Sequence, residues 1–112
     1  MFDYKIYFGG TIIMVKHIVM WQFKDFAEGK SKEENILFIK EKLENLVNII
    51  PQIKSLEVGK NILPDTDYDA ILYSEFNSPE DLEIYQNHPE HKKISGYISK
   101  IRNDRISGDY IV

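Results

Sequence analysis

The chain contains no cysteine, which removes disulfides, thiolate nucleophiles and Cys-based zinc or iron–sulfur sites together. That absence fits a reducing compartment, and a cytoplasmic location is expected. Also missing is an unbroken apolar run of the roughly 18 to 20 residues that a membrane helix needs. A basic excess is missing too. Fourteen Lys and Arg against eighteen Asp and Glu leave a net charge of −4, which argues against phosphate-dominated contact with nucleic acid. Neither nucleic acid nor a membrane is therefore an expected partner. Nor does the sequence carry a Gly-rich phosphate loop, a serine nucleophile elbow or a heptad array.

What is present is ordinary globular usage: 112 residues, 43% hydrophobic and 29% charged, with six Gly and four Pro. This length forms one hydrophobic core and one domain. The first thirteen residues, MFDYKIYFGGTII, are apolar and aromatic but have neither a basic n-region nor a small-residue cleavage pattern. They read as an N-terminal extension, 1–13, with the domain proper over 14–112. Gly9-Gly10 shortly before Met14 suggests a ribosome-binding site read as protein by an over-extended gene start.

From Val15 to Phe23 the apolar residues occupy both parities: Val15, Val19, Trp21 and Phe23 on one, Ile18 and Met20 on the other. Such a strand needs cover on both faces. Ser31-Lys32-Glu33-Glu34 is a capping box, and Ile36, Ile39, Leu43, Leu46/Val47 and Ile50 follow at helical spacing until Pro51 ends the helix. The stretch from Ile53 to Asn61 reads as a second strand, and a Pro64-Asp65-Thr66-Asp67 turn leads into a third from Tyr68 to Phe76. Ser78-Pro79-Glu80-Asp81 starts a short helix from Glu80 to about Gln86. After the break at Pro89 a further helix runs from about Glu90 to Ile101, and Arg105 to Val112 forms the last strand.

The order is β-α-β-β-α-β, the split βαβ pattern of an α+β, ferredoxin-like fold. Helices cover one face of the four-stranded sheet, yet the other face also carries apolar side chains. A second copy of the same sheet is the expected lid, giving a homodimer in which two sheets pack face to face and close toward a barrel.

Five segments then stand in a telling order: Val15-Lys16-His17-Ile18-Val19, Ile50 to Asn61, Glu75 to Leu82, Tyr85-Gln86-Asn87-His88-Pro89-Glu90-His91, and Asp109-Tyr110. Together they resemble the stress-responsive dimeric α/β-barrel (Dabb) family from about Met14 to Tyr110. The resemblance implies a ferredoxin-like subunit in a sheet-to-sheet homodimeric barrel, with no metal or organic cofactor. The family includes stress-associated proteins and a plant polyketide cyclase. In the cyclase-like members a Tyr–His pair lies in the pocket between sheet and helices. Tyr85 and His91 match that pair, and His17 on the first strand matches as well. This chain departs from the cyclase-like pattern at Trp21 and Gln22, and in Lys92-Lys93-Ile94-Ser95-Gly96-Tyr97, where an apolar aromatic lining would stand.

Read from the residues, His88 caps a helix whose first residue is Pro89, so His91 falls in the first turn, where the helix dipole disfavours imidazolium. A neutral His91 can act as a general base. Tyr85 can donate a hydrogen bond to a developing oxyanion, a pairing suited to proton abstraction beside a carbonyl and intramolecular condensation. A purely structural reading stands beside it: His88 caps, Pro89 kinks, and Tyr85 and His91 hold the corner. His17 shares the parity of Val15 and Val19, so its ring is either a satisfied core histidine or a pocket group supporting His91. Trp21 and Phe23, and with them His88, are the candidate ligand-pocket residues, with core or interface packing as the alternative for the aromatics.

No metal site is expected. His88 and His91 stand at i, i+3 but lack a third ligand fixed by sequence, and Asp65, Asp67 and Asp69 lack the glycine and distal Glu of a calcium loop. Two function classes follow. One is a homodimer that binds a small apolar or carbonyl-bearing ligand or serves a stress-associated role without turnover. The other is a cofactor-free acid–base enzyme built on Tyr85, His91 and His17, cyclase-like or, on the same fold, monooxygenase-like.

Overall fold

The computed structural model describes residues 13–112. The thirteen-residue leader read from the sequence lies, but for Ile13, outside the described residues. The elements run β1 (Val15–Phe23), β2 (Phe26–Ala27), β3 (Lys30–Ser31), α1 (Lys32–Glu44), a 3₁₀ turn (Asn45–Asn48), β4 (Ile53–Lys60), β5 (Ala70–Phe76), α2 (Pro79–Asn87), α3 (Pro89–Ile101) and β6 (Arg102–Ile111). Strands β4-β5-β1-β6 form one sheet in that order, and every neighbouring pair is antiparallel. The fold is the expected ferredoxin-like α+β subunit.

Each boundary has a local cause. Ser31 accepts from the Glu34 amide while Glu34 reaches back to the Ser31 amide, so the capping box starts α1 as its residues dictate. The helix expected to run on to Pro51 instead stops at Glu44 and tightens into the 3₁₀ turn, where Asn48 donates to the Asn45 side chain at 3.1 Å. Asparagine competes for local hydrogen bonds, and the residues before Pro51 cannot stay in a regular α-helix. The tighter winding still buries Leu46 and Ile50, while Val47 faces out. Strand β6 begins at Arg102 rather than Arg105, because α3 passes directly into extended backbone at Arg102.

One element escaped the sequence reading. The β2–β3 ribbon turns on Glu28 and Gly29, both with positive φ (52° and 76°), the pairing that a two-residue hairpin turn requires. It is anchored by Asn35, which is fully buried, donating to the Ala27 carbonyl at 3.1 Å and accepting from the Tyr97 hydroxyl at 2.6 Å. Strand β5 starts at Ala70 rather than Tyr68 because Asp69 turns its carboxylate back to the Phe23 amide, at 2.8 Å.

Alternation along β1 divides the molecule. Val15, His17, Val19, Trp21 and Phe23 are buried toward the helices, and Lys16, Ile18, Met20 and Gln22 lie half-buried on the other face. The core fills the space between the first face and the helices, with Ile36, Ile39, Leu43, Leu72, Phe76, Tyr85, Ile98 and Ile101 at its centre. On the other face Ile106 and Tyr110 are each half exposed. Together with Ile18 and Met20 they line a shallow apolar groove. Among the described residues no helix is long and apolar enough to cross a membrane.

Candidate functional site

The corner between α2 and α3 is set by sequence chemistry. Ser78 caps α2 through the Asp81 amide at 3.1 Å, Pro79 occupies its first turn, and Pro89 forces a new start two residues after Asn87. His88 ends α2 and caps α3, its Nδ1 accepting from the Glu90 amide at 3.1 Å. A cavity of about 270 Å³ opens between this corner and the helix-covered face of β1 and β6.

His17, Trp21, Tyr85 and His91 all line that cavity, whereas His88 and Phe23 do not. The structure sets these two expected ligand-pocket residues apart from the cavity. The His88 ring is spent on the cap, and Phe23 is sealed in the core, stacked on Trp21 with ring centres 6.0 Å apart.

Tyr85 stands at the centre. Its ring is 1% exposed and lies against His91 at 4.4 Å, Phe76 at 5.1 Å and, edge-on, His17 at 6.4 Å between ring centres. Among the described residues nothing hydrogen-bonds its hydroxyl, yet no buried polar side-chain atom is left unpartnered. The hydroxyl therefore opens on the cavity. Burial pushes the Tyr85 phenol well up, so it keeps its proton and can donate.

The two histidines are held in defined tautomers. His91 Nδ1 meets the Gln86 carbonyl at 3.2 Å, one of the carbonyls that the end of α2 leaves without a helical partner. A carbonyl only accepts, so Nδ1 carries the hydrogen and neutral His91 presents a bare Nε2. Burial, ahead of the opposing Gln86 hydrogen bond, holds its pKa below the ordinary 6.5, and the neighbouring charges of His17, Arg105 and His88 push the same way. Buried His17 donates through Nδ1 to Asp109, its cross-strand partner on β6. Asp109 is thus the orienting group for His17, a role no spacing in the sequence announced.

The rest of the lining is polar. Ser95 and Ser99 from α3, Arg102 and Arg105 from β6, and Gln86 from α2 complete it. The sequence reading missed these residues, although the polar run after His91 was the visible sign. Among the described residues no group of three or more His, Asp or Glu could hold a metal ion.

The family model of the Dabb stress responsive A/B barrel domain matches residues 15–112. The chain belongs to the Dabb family. This Dabb protein is 38% identical over 80 residues to olivetolic acid cyclase of Cannabis sativa, covering 69% of this chain and 75% of the cyclase. Among solved structures it resembles a dimeric Bacteroides fragilis protein of unknown function with a ferredoxin-like fold, at 33% identity and a TM-score of 0.73, over 87% of this chain and 94% of that one. An Arabidopsis thaliana protein follows at 29% identity and a TM-score of 0.71, over 86% and 92% of the two chains.

Proposed function

We propose that this Dabb protein is a homodimeric, cofactor-free acid–base catalyst for a small carbonyl-bearing ligand. The convergence of Tyr85, His91 and His17 on one cavity carries the reading. Two groups whose environments drive their pKa values apart, a phenol that stays protonated and an imidazole that stays neutral, make an acid and a base at neutral pH. His91 Nε2 takes a proton from the carbon beside the ligand carbonyl, and the C–H electron pair moves into the enolate. Tyr85 donates its hydrogen bond to the oxygen on which charge develops. The enolate carbon then bonds to a second carbonyl of the same molecule, whose oxygen receives the proton back from His91. His17, oriented by Asp109, holds the ligand beside this pair.

Dimerisation rests on the open face of the sheet. Its β1–β6 half is apolar through Ile18, Met20, Ile106 and Tyr110, while at the β1–β5 seam Lys16 of β1 joins Tyr73 and Glu75 of β5 in a polar cluster. A second copy laid on the apolar half buries it by symmetry, in keeping with the dimeric Bacteroides fragilis relative. A chain without cysteine suits the cytoplasm.

Deuterium uptake beside the carbonyl of cyclohexanone in heavy water, followed by proton NMR, tests the chemistry. The wild type accelerates uptake over buffer. His91→Ala lowers the rate roughly 10²- to 10⁴-fold, the span of a lost general base, and Tyr85→Phe lowers it while keeping the ring packing. Uptake equal in all three proteins overturns the assignment. Ketone binding seen by thermal shift with no uptake in the wild type leaves a binding protein without turnover.

A further inference from the structure

The polar side of the cavity points to the chemical class of the ligand, on the reading that the cavity is the active site. The chain as a whole is acidic, with a net charge of −4, yet the β6 wall of the cavity presents two guanidinium groups, Arg102 and Arg105. Among the described residues no carboxylate stands within ion-pair distance of either. The Arg105 guanidinium makes a 3.4 Å contact to the Ser107 hydroxyl, Asp104 bonds the Arg105 amide and feels the Arg102 charge, and Asp109, on the same strand face as Arg105, is taken by His17. Ser95 and Ser99, one turn apart on α3, line the same cavity, and the Ser99 hydroxyl donates to the Gly96 carbonyl at 2.6 Å. The Arg105 charge is felt across the cavity, since it opposes burial at Tyr85 and adds to it at His91.

We propose that the ligand is a small ketocarboxylate, its carboxylate seated between Arg102 and Arg105 and its ketone carbonyl directed at Tyr85 and His91. Guanidinium forks match a planar carboxylate with paired hydrogen bonds, and the Ser95 hydroxyl supplies a further donor. A volume of about 270 Å³, just under the usual range for ligand pockets, suits a short keto acid. The relation between the two sites also has a chemical use. An anchored carboxylate fixes which carbon beside the ketone lies under His91, turning encounter into orientation.

Levulinate and methyl levulinate differ only in that charge and serve as the probe pair, with inorganic phosphate as the competing anion. Titration calorimetry of the full-length dimer needs no turnover, so its result stands or falls separately from the deuterium-uptake test. The wild type binds levulinate roughly 10- to 100-fold more tightly than the ester, the range of a charge-assisted hydrogen-bond pair. Arg102→Gln with Arg105→Gln erases that preference, and Arg102→Lys with Arg105→Lys restores part of it. Both side chains reach solvent, and an unchanged far-UV circular dichroism spectrum confirms the fold of each variant. Equal binding of acid and ester by the wild type overturns the proposal, as does a preference that survives the double Gln change. Phosphate binding in place of levulinate, lost in the Gln variant, moves the site to phosphate esters and likewise overturns it.

Discussion

The two faces of one sheet were given comparable apolar residues and put to different uses. Along β1 the buried set Val15, His17, Val19, Trp21 and Phe23 lies under helices, while Ile18 and Met20 look outward onto a shallow groove with Ile106 and Tyr110. The covered face is largely closed, and a cavity is left where α2 and α3 stand off β1 and β6 at Tyr85. The open face carries a shallow apolar groove instead. Burial inside the subunit therefore desolvates Tyr85 and His91, whereas apolar surface left open on the other face serves assembly.

Truncating each face is the direct way to break that contrast. Phe76→Ala removes a fully buried ring packed against Tyr85 and costs about 3–5 kcal/mol by urea unfolding. The same experiment on Ile106→Ala, half exposed in the subunit, changes the unfolding of the isolated subunit by about 0.5 kcal/mol or less. Equal effects would erase the distinction between the faces.

Ile106→Asp carries the test to assembly. Light scattering should find a wild-type particle of twice the 13.2 kDa subunit and a monomer for the variant, with helix content retained. A wild-type monomer at micromolar concentration refutes the paired-sheet arrangement. Within the covered face a smaller loss is expected from Asn35→Ala, which strips the hydrogen bonds to Ala27 and Tyr97. Leaving those partners unmet costs about 1–3 kcal/mol, readable as a lowered urea midpoint.

The smallest effect is a pH dependence. His91 has a folded pKa below its ordinary 6.5, so between those two values the unfolded chain binds the proton that the folded chain resists. Its contribution to stability is complete above 6.5 and is lost as pH falls through the folded value. Thermal unfolding at about pH 7.5 and about pH 5 should show a wild-type drop that shrinks in His91→Gln. The acid limb of ketone deuterium uptake should likewise fall below 6.5.

Much of the fold was written in local chemistry. The capping box at Ser31, the cap at Ser78, the prolines at 79 and 89, and the two-parity apolar pattern of Val15–Phe23 all act within a few residues of themselves. The helix beyond Glu44, the start of β6 and the β2–β3 ribbon were less legible. Each is decided by a competition between local windings that hydrophobic spacing alone does not resolve. Of the site, Tyr85, His91, His17 and Trp21 were visible as residues, and the cavity brings all four together. His88 and Phe23 were not separable from them by type, because a cap and a core ring look like ligand contacts in a linear chain. Asp109, Arg102, Arg105, Ser95 and Ser99 stayed hidden because they meet the site only through antiparallel pairing and helix packing.

By itself, then, the sequence determined the order of elements, the α2–α3 corner that places His91 in a first turn, and the presence of apolar residues for two faces of one sheet. These depend on interactions between near neighbours. Only the tertiary structure decided that β6 sets Asp109 opposite His17, that the Tyr85 hydroxyl is freed into a cavity, and that two arginines form its far wall. The physical reason is separation along the chain: His17 and Asp109 are 92 positions apart, and no local pattern encodes a contact that the register of paired strands creates.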